Sequence, residues 1–257
     1  MTENWSFNGC ALSSKGKWDV EAVIEGIGIP KFRGSDLQVP FQHGKRWIKK
    51  RFDRRKLVLS MWIKGSDRAE LDNNIDAFLK AIGSPGLHSL VRTMRNGETR
   101  QAQAELCSEI NFVRKNPGYA KFALELELAD PFFYGTVKST ANKMVTSSPF
   151  AWTHANEGSA PITAMVITLE GPLSNPIIRN QNNGIWIQFL GTIASGESVI
   201  LETKYYTCLK GNTNMISIVK HGGDAYWMIL EAGNNSMELE TDTIGGRITF
   251  EYYPAFY

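Results

Sequence analysis

Cysteine is scarce in this chain, and the few cysteines present lie far apart. They are Cys10, Cys107 and Cys208, an odd number spaced by about a hundred residues. Disulfide-stabilised secreted domains carry paired cysteines at short spacings, and CxxC-type zinc sites need clustered ones. The pattern therefore excludes both kinds of site, and it predicts a protein that folds in a reducing cytoplasm.

Long apolar runs are missing as well. The N-terminal segment MTENWSFNGCALSSKGKW lacks the basic start and apolar stretch of a signal peptide. Elsewhere the purely apolar runs are far shorter than the roughly 20 residues that cross a bilayer as a helix. We therefore expect no membrane partner.

Residues with catalytic or metal-binding chemistry are few and scattered. His43, His88, His154 and His221 form no HxH or HxxxH pair, whereas zinc sites need clustered ligands. The sequence also contains no GxSxG nucleophile motif. The chain is therefore predicted not to be an enzyme and to use neither a metal nor a cofactor.

Two further patterns resemble catalytic motifs only superficially. Gly26 and Gly28 lack the third glycine and the following helix of a dinucleotide-binding loop, and Pro30 interrupts the segment. Glu125 and Glu127 share one face of a predicted strand, as a glycosidase pair would. Alternating carboxylates on a solvated strand face are much commoner, so we favour that interpretation.

One helix is clearly present, at residues 67–82. Asp67 and Glu70 form a capping box, in which each side chain accepts from a backbone N–H of the first turn. One apolar stripe follows, and Gly83 and Pro85 end the helix. The stripe consists of Leu71, Ile75, Phe78, Leu79 and Ile82. It predicts a helix packed on a sheet.

The rest of the sequence is typical of strands and turns. In residues 57–63, apolar side chains occur on both faces of the predicted strand. We therefore expect this strand to be buried between layers. Asn96-Gly97 predicts a hairpin between residues 88–95 and 98–106. Residues 121–128 alternate between apolar and polar, which predicts a half-buried strand. In the second half, Gly- and Asn-rich turns separate eight predicted strands: 162–169, 176–180, 184–190, 198–202, 215–219, 226–230, 236–239 and 247–253.

Charge and composition divide the chain into two parts. Residues 1–134 hold 21 basic and 16 acidic residues, whereas residues 135–257 hold 7 and 10. The Ser-, Thr- and Asn-rich segment 136–160 is predicted as a junction, with a short strand at most near Phe150 to Thr153. We therefore predict a mainly β protein with one helix, built from two β-sandwich-like domains at residues 1–135 and 161–257.

The segment Lys45–Lys56, with the sequence KRWIKKRFDRRK, is the most unusual stretch. It holds eight basic residues, one acidic residue and two aromatic rings. Three interpretations stay open: a solvated loop and strand edge, a contact with another protein, and a contact with nucleic acid. The candidate contact residues, at a protein surface or at the lumen of a ring, are Lys45, Arg46, Lys49, Lys50, Arg51, Arg54 and Arg55.

The order of these signals resembles the distal tail protein family of long-tailed phages (siphophages). In the first half the resemblance rests on FNG at Phe7–Gly9, on RFDRRKLVLSMWIKG before the helix, and on ELADPFFYG at Glu127–Gly135. In the second half it rests on Asn156–Gly184 and on the closing segment Trp227–Tyr257. The sequence departs from the family in lacking the proline of its "pG.N" turn, at residues 231–235, and an inserted carbohydrate-binding module. These departures put direct receptor binding in doubt.

The resemblance implies a structural protein of the virion, at the distal end of the tail and assembled in the host cytoplasm. Six copies would form a ring through a sandwich domain that carries a helix and a protruding hairpin, and a galectin-like domain would lie at the periphery. The ring would join the tail-tube protein to the tail-tip hub protein, and side-fibre or receptor-binding proteins would attach outside. The tape-measure protein and then DNA would pass through it without sequence-specific binding.

An alternative function is a carbohydrate-binding module that contacts the host cell wall through the second domain. Its candidate residues are Trp186, Tyr226 and Trp227, because sugar sites combine exposed aromatic rings with convergent polar groups. Strand alternation would turn at least one of the adjacent pair Tyr226 and Trp227 inward. A wall-degrading enzyme is a third class, but the sequence shows no recognisable acid pair.

Overall fold

The computed structural model describes residues 3–14, 16–38 and 40–257. These residues are mainly β with one α-helix, as predicted. It divides into two compact units: unit 1 runs to Tyr134 and includes Tyr257, and unit 2 spans Gly135–Phe256.

Unit 1 is built on one long antiparallel sheet with the strand order β2-β1-β7-β8-β10-β6-β3. Its elements are β1 (Asn4–Phe7), β2 (Cys10–Ala11), β3 (Trp18–Glu25), β4 (Phe32–Arg33), β5 (Arg51–Phe52), β6 (Arg55–Lys64), α1 (Arg68–Ile82), β7 (His88–Thr93), β8 (Thr99–Leu106), β9 (Val113–Asn116), β10 (Tyr119–Leu128) and β11 (Phe133–Gly135).

Helix α1 forms where the capping box and the apolar stripe predicted it. The Asp67 side chain accepts from the Glu70 backbone N–H, and the Glu70 carboxylate accepts from the Ser66 backbone N–H. Phe78 is fully buried and meets the ring of Trp18 at 5.4 Å and that of Phe122 at 5.2 Å. Each such buried side chain contributes about 1.5–3 kcal/mol. The apolar stripe therefore fixes which face of α1 contacts the sheet.

The two central strands differ from each other in burial. Strand β10 alternates between buried and half-exposed residues along its whole length, as predicted. Strand β6 buries Leu57, Leu59, Met61 and Ile63 on one face, but Trp62 on the other face is only half-buried. The prediction that β6 is buried on both faces is therefore wrong in part. On the second face, the ring of Tyr119 stacks on that of Trp62 at a centroid distance of 6.3 Å but leaves Trp62 half-buried.

The β7–β8 hairpin forms at Asn96-Gly97, as predicted. The two strands pair from His88↔Ala104 to Thr93↔Thr99. Gly97 has φ +88°, in the left-handed region where a residue with a Cβ is strained. The glycine therefore permits the tight reversal.

Unit 2 is built on two larger antiparallel sheets, and Leu173–Ser174 pairs with Thr192–Ile193 in a separate two-stranded sheet. The strand orders of the larger sheets are β12-β24-β14-β19-β20-β21 and β13-β23-β16-β17-β22. The elements are β12 (Ser139–Met144), β13 (Phe150–Asn156), β14 (Val166–Glu170), β15 (Leu173–Ser174), β16 (Ile177–Asn180), β17 (Ile185–Phe189), β18 (Thr192–Ile193), β19 (Ser198–Glu202), β20 (Thr207–Lys210), β21 (Thr213–Asn214), a 3₁₀ turn (Ile216–Ile218), β22 (Val219–Gly222), β23 (Gly233–Glu240), β24 (Arg247–Tyr252) and β25 (Ala255–Phe256).

The two sheets of unit 2 pack face to face as a β-sandwich. Trp152 and His154 of β13 meet the Phe250 ring of β24 at 6.2 Å and 5.3 Å. Phe189, Leu201 and other apolar side chains fill the space between the sheets and are almost fully buried. Inward and outward residues alternate along the strands, which produces the pattern seen in the sequence.

Three sequence expectations for unit 2 are wrong. Residues 136–160 hold two strands, β12 and β13, because β12 is a polar edge strand that pairs with β24 and therefore lacks an apolar signature. Residues 215–219 contain a 3₁₀ turn before β22. Residues 226–230 form no continuous strand: only Leu230 makes a backbone bridge, to Ile162. Asparagine side chains supply hydrogen bonds there that a neighbouring strand would otherwise make.

Those asparagines form a buried polar network. Asn180 Nδ2 donates to the Ile229 carbonyl and to Asn235 Oδ1, at 2.8 Å and 2.9 Å. Asn156 Nδ2 donates to the carbonyls of Ala160 and Glu231 at 3.0 Å and 3.2 Å. All three asparagines are at most 3% exposed. Because a buried unpaired polar group costs about 1–3 kcal/mol, this network fixes the 226–235 segment.

Candidate interaction surface

A long excursion separates β3 from β6 in unit 1. We call residues 27–53 the arm. At its base β4 pairs with β5, and the rings of Phe32 and Phe52 stack at 5.0 Å. The Phe52 ring also meets that of Phe132 at 5.2 Å. Further out, the backbones of Leu37 and Arg46 exchange two hydrogen bonds, at 3.0 Å and 2.8 Å. The arm is thus an irregular hairpin anchored at one end.

Asp36 holds the two halves of the arm together. Its carboxylate accepts from the ammonium groups of Lys45 and Lys50 and from the Ile48 backbone N–H. Its side chain is only 5% exposed. The hydrogen bond from Lys45 and the amide of Ile48 lower the pKa of Asp36 below its ordinary value. Lys45 and Lys50 therefore have a structural role within the arm.

Other basic residues of the predicted segment pair with the sheet. The Arg54 guanidinium donates to the Glu127 carboxylate at 2.9 Å, and the Lys56 ammonium lies 2.7 Å from the Glu125 carboxylate. These two carboxylates are the pair that resembled a glycosidase site. In the structure they act as counter-charges to the strand that follows the arm.

Arg55 does not belong to a surface, which corrects the prediction from the sequence. It is 3% exposed, donates to the Gly26 carbonyl at 2.9 Å and lies 5.1 Å from the centre of the Phe133 ring. Its Nε and Nη2 have no hydrogen-bond partner among the described residues. Burial, and after it the charge of Arg92, lowers the pKa of the guanidinium to about 10. Strand alternation turns Arg55 inward because it shares a face with Leu57 and Leu59.

The arm exposes apolar surface more than it exposes unpaired charge. Of the twenty large hydrophobic side chains exposed in the described part of the chain, seven lie in the arm. They are Ile27, Ile29, Phe32, Leu37, Phe41, Trp47 and Ile48. Charge alone drew attention to this segment, but many exposed apolar side chains within one segment are the stronger mark of an interaction site.

Phe41 lies at the tip of the arm in an unusual backbone conformation. It follows Pro40 in a turn and has φ +64°, while its side chain is fully exposed, at 109% of the reference value. Left-handed backbone is normally taken by Gly, Asn or Asp, and it costs other residues about 1–2 kcal/mol. Nothing in the described chain covers the ring to offset that cost.

The aromatic residues proposed for sugar binding do not form one exposed site. Trp227 is 3% exposed, Tyr226 and Trp186 are partly buried, and a Cβ added at Gly222 would lie 2.6 Å from the Trp186 Nε1. Tyr205 and Tyr206, which the sequence did not single out, are more exposed, at 63% and 41%. They lie in the turn between β19 and β20. The sequence pattern of a short hairpin does not show whether the aromatic side chains in its turn are exposed.

The sequence predicted neither a metal site nor a membrane partner, and the structure adds one observation on each. Within residues 3–14, 16–38 and 40–257, no three His, Cys, Asp or Glu side chains come together as a metal site would need. In the same residues, no helix is long and apolar enough to cross a membrane. His154 is buried and its Nε2 lies 2.8 Å from the Tyr252 hydroxyl, so it is part of the core of unit 2.

Comparison with known proteins points to phage tails. Residues 24–128, which include the arm, α1 and β10, match the family model of the phage tail protein RIFT-related domain. No curated protein matches the chain. This part of unit 1 therefore has the sequence signature of a phage tail protein domain.

The fold of the whole chain is similar to that of a solved distal tail protein. The crystal structure of the Dit protein of phage SPP1 superposes with a TM-score of 0.69 and 13% sequence identity, covering 98% of this chain and 99% of that one. The baseplate of phage P2 in its activated, Ca-containing conformation gives 11% identity, 98% coverage of each chain and a TM-score of 0.42. The predicted resemblance to siphophage distal tail proteins is confirmed by the family match and the fold together.

Proposed function

We propose that the chain is a structural protein at the distal end of a long-tailed phage tail. The observation that carries the proposal is the phage tail family match across residues 24–128 within a fold like that of SPP1 Dit over nearly its full length. SPP1 Dit is described as a paradigm of the hub adsorption apparatus of phages that infect Gram-positive bacteria. The exposed apolar arm supports a role that depends on interfaces, since such surface in a soluble protein is usually covered by a partner.

In finer detail, copies of the chain form a ring, six-fold in the proposal, through residues 1–135. The ring joins the tail-tube protein to the tail-tip hub protein, and the tape-measure protein and DNA pass through it. Residues 161–257 lie outside, where side-fibre or receptor-binding proteins attach. The chain has no catalytic role in the proposal.

Antibody labelling of intact virions tests the location. Gold-labelled antibody raised against the chain, viewed by electron microscopy, should mark the tail end opposite the capsid. A label on the capsid or the tail shaft, or an absence of the chain from purified virions by mass spectrometry, would overturn the proposal. Averaged end-on views of unlabelled tail tips give the rotational symmetry of the ring, and a symmetry other than six would correct that detail alone.

A further inference from the structure

The outer face of one sheet in unit 2 carries a flat aromatic ring. Alternate residues of β17 are buried, and Trp186 is one of the outward residues between them. Its partner on the neighbouring strand β22 is Gly222. A Cβ at Gly222 would lie 2.6 Å from the Nε1, 2.7 Å from the Cε2 and 2.8 Å from the Cζ2 of Trp186. The indole therefore lies across β22 over the glycine, and because Trp186 is partly exposed, its other ring face meets solvent.

A fixed guanidinium group lies on the other side of the indole. Arg179 of β16 is the cross-strand partner of Trp186, and the Cβ atoms of such partners are about 4.5–5.5 Å apart. The Arg179 Nη1 donates to the carboxylates of Glu238 and Glu240, at 3.4 Å and 2.6 Å. Among the described residues the guanidinium makes no other hydrogen bond, so its Nε and Nη2 remain as donors. The two carboxylates thus hold a planar donor group beside the ring.

The rest of this face is polar and electrically balanced. The outward residues of β13, β23, β16, β17 and β22 include two basic and two acidic side chains, which are Arg179, Lys220, Glu238 and Glu240. None of the twenty exposed large hydrophobic side chains in the described part of the chain lies on these five strands. The face therefore has neither the apolar area of a protein interface nor the net positive charge that binds phosphates.

We propose that this face binds a neutral saccharide whose ring stacks on Trp186. We call Trp186, Arg179, Gln188, Glu238 and Gly222 the indole platform. The polarised C–H groups on one side of a sugar ring are attracted to the negative face of an indole. Sugar hydroxyl groups both donate and accept, and the platform offers guanidinium and amide donors beside carboxylate and amide acceptors. The inference goes beyond the proposed place of the chain in a tail and does not depend on it.

The first test is isothermal titration of the full chain with three hexasaccharides. Chitohexaose and maltohexaose are neutral, and a heparin hexasaccharide is anionic. At least one neutral probe should bind at millimolar concentration, and the heparin probe should bind more weakly. Trp186→Ala should weaken the neutral binding at least about tenfold. The matched control is Tyr205→Ala, which removes a ring of 63% exposure from the same unit and should leave the binding unchanged.

The second test keeps the tryptophan and changes the strand beneath it. The backbone at Gly222 is not in the left-handed region, so alanine is tolerated there, but its Cβ displaces the indole. Gly222→Ala should therefore weaken saccharide binding about as much as Trp186→Ala. Thr153→Ala, at an exposed position of β13 on the same face, should not. Melting temperatures close to that of the wild type would show that the sandwich is intact in each variant.

The opposite results overturn the inference. These results are that neither neutral probe binds at millimolar concentration, that binding survives Gly222→Ala, or that the heparin probe binds more tightly than both neutral ones. If Trp186→Ala does not fold, Gly222→Ala alone decides. The labelling of virions is independent of all of these measurements. A chain that is found at the tail tip but binds no saccharide would refute the indole platform and leave the proposed function intact.

Discussion

The arm of unit 1 and the asparagine network of unit 2 show opposite relations between polarity and burial. In unit 2, polar side chains at positions such as Asn180 and Asn235 are completely buried, and each finds hydrogen-bond partners inside the fold. In the arm, apolar side chains such as Phe41 and Trp47 are exposed and find no cover. The first arrangement is complete within one chain, whereas the second leaves apolar side chains exposed in a single copy of the chain.

The largest expected effect compares two aromatic residues of unit 1. Phe78→Ala should lower the free energy of unfolding by about 3–5 kcal/mol, because it opens a cavity between α1 and the sheet. Trp47→Ala, in the exposed arm, should change it by less than about 0.5 kcal/mol in the monomer. Urea denaturation followed by circular dichroism measures both. A comparable loss in Trp47→Ala would mean that the arm packs on its own chain.

A smaller loss is expected for Asn235→Ala in the unit 2 network. The side chain accepts from the Glu231 backbone N–H at 2.8 Å and from Asn180 Nδ2 at 2.9 Å, and its removal leaves these donors buried without partners. The cost should be roughly 3 kcal/mol. The control Asn182→Ala, whose hydrogen bonds are solvent-exposed, should cost less than about 1 kcal/mol. Equal costs would show that burial does not set the energetics of the network.

Arg55→Met should leave stability unchanged or raise it by about 1 kcal/mol. The substitution removes a buried, incompletely paired charge and keeps the apolar contact with Phe133. Arg54→Met, at an exposed position, serves as the control and should change little. Thermal unfolding measures both. A marked loss in Arg55→Met alone would show that the guanidinium is fully hydrogen-bonded in solution.

The smallest expected effect is a pH dependence in unit 2. Burial, and after it the charge of Lys143, lowers the pKa of His154 below its ordinary value of 6.5. The unfolded chain therefore takes up a proton at a higher pH than the folded chain. The free energy of unfolding should fall as the pH drops through about 6.5 and level off below the folded-state pKa.

The variant His154→Gln checks this pH dependence. Glutamine keeps a donor for the Tyr252 hydroxyl but does not titrate, so its urea midpoints between about pH 7.5 and pH 5 should depend less on pH. Tyr252→Phe keeps the histidine and should keep the wild-type slope. An unchanged slope in His154→Gln would assign the pH dependence to other groups.

Local signals in the sequence were sufficient wherever a few neighbouring residues fix the backbone. The capping box of Asp67 and Glu70 and the stripe that ends at Ile82 determined α1, and Asn96-Gly97 determined the β7–β8 hairpin. Alternation determined the buried face of β10. Strand β12 was missed because its stability comes from pairing with β24 and not from its own composition.

The sequence drew attention to the basic segment Lys45–Lys56 but not to the exposed apolar side chains of the arm. The run of basic residues at Lys45–Lys56 overlaps the arm. Such a run of like charges is evident from the sequence alone. Which of them are available to a partner depends on Asp36, Glu125 and Glu127, which lie 9 to 73 residues away along the chain.

The sequence by itself determined the secondary structure class, the helix, the main hairpin and the position of an unusually basic segment, since these depend on near neighbours in the chain. Only the tertiary structure decided that Arg55 is buried and that Phe41 is exposed in a strained turn. It also decided that Lys45, Lys50, Arg54 and Lys56 are paired with carboxylates. Those outcomes depend on long-range packing and pairing, which one sequence does not encode in any local pattern.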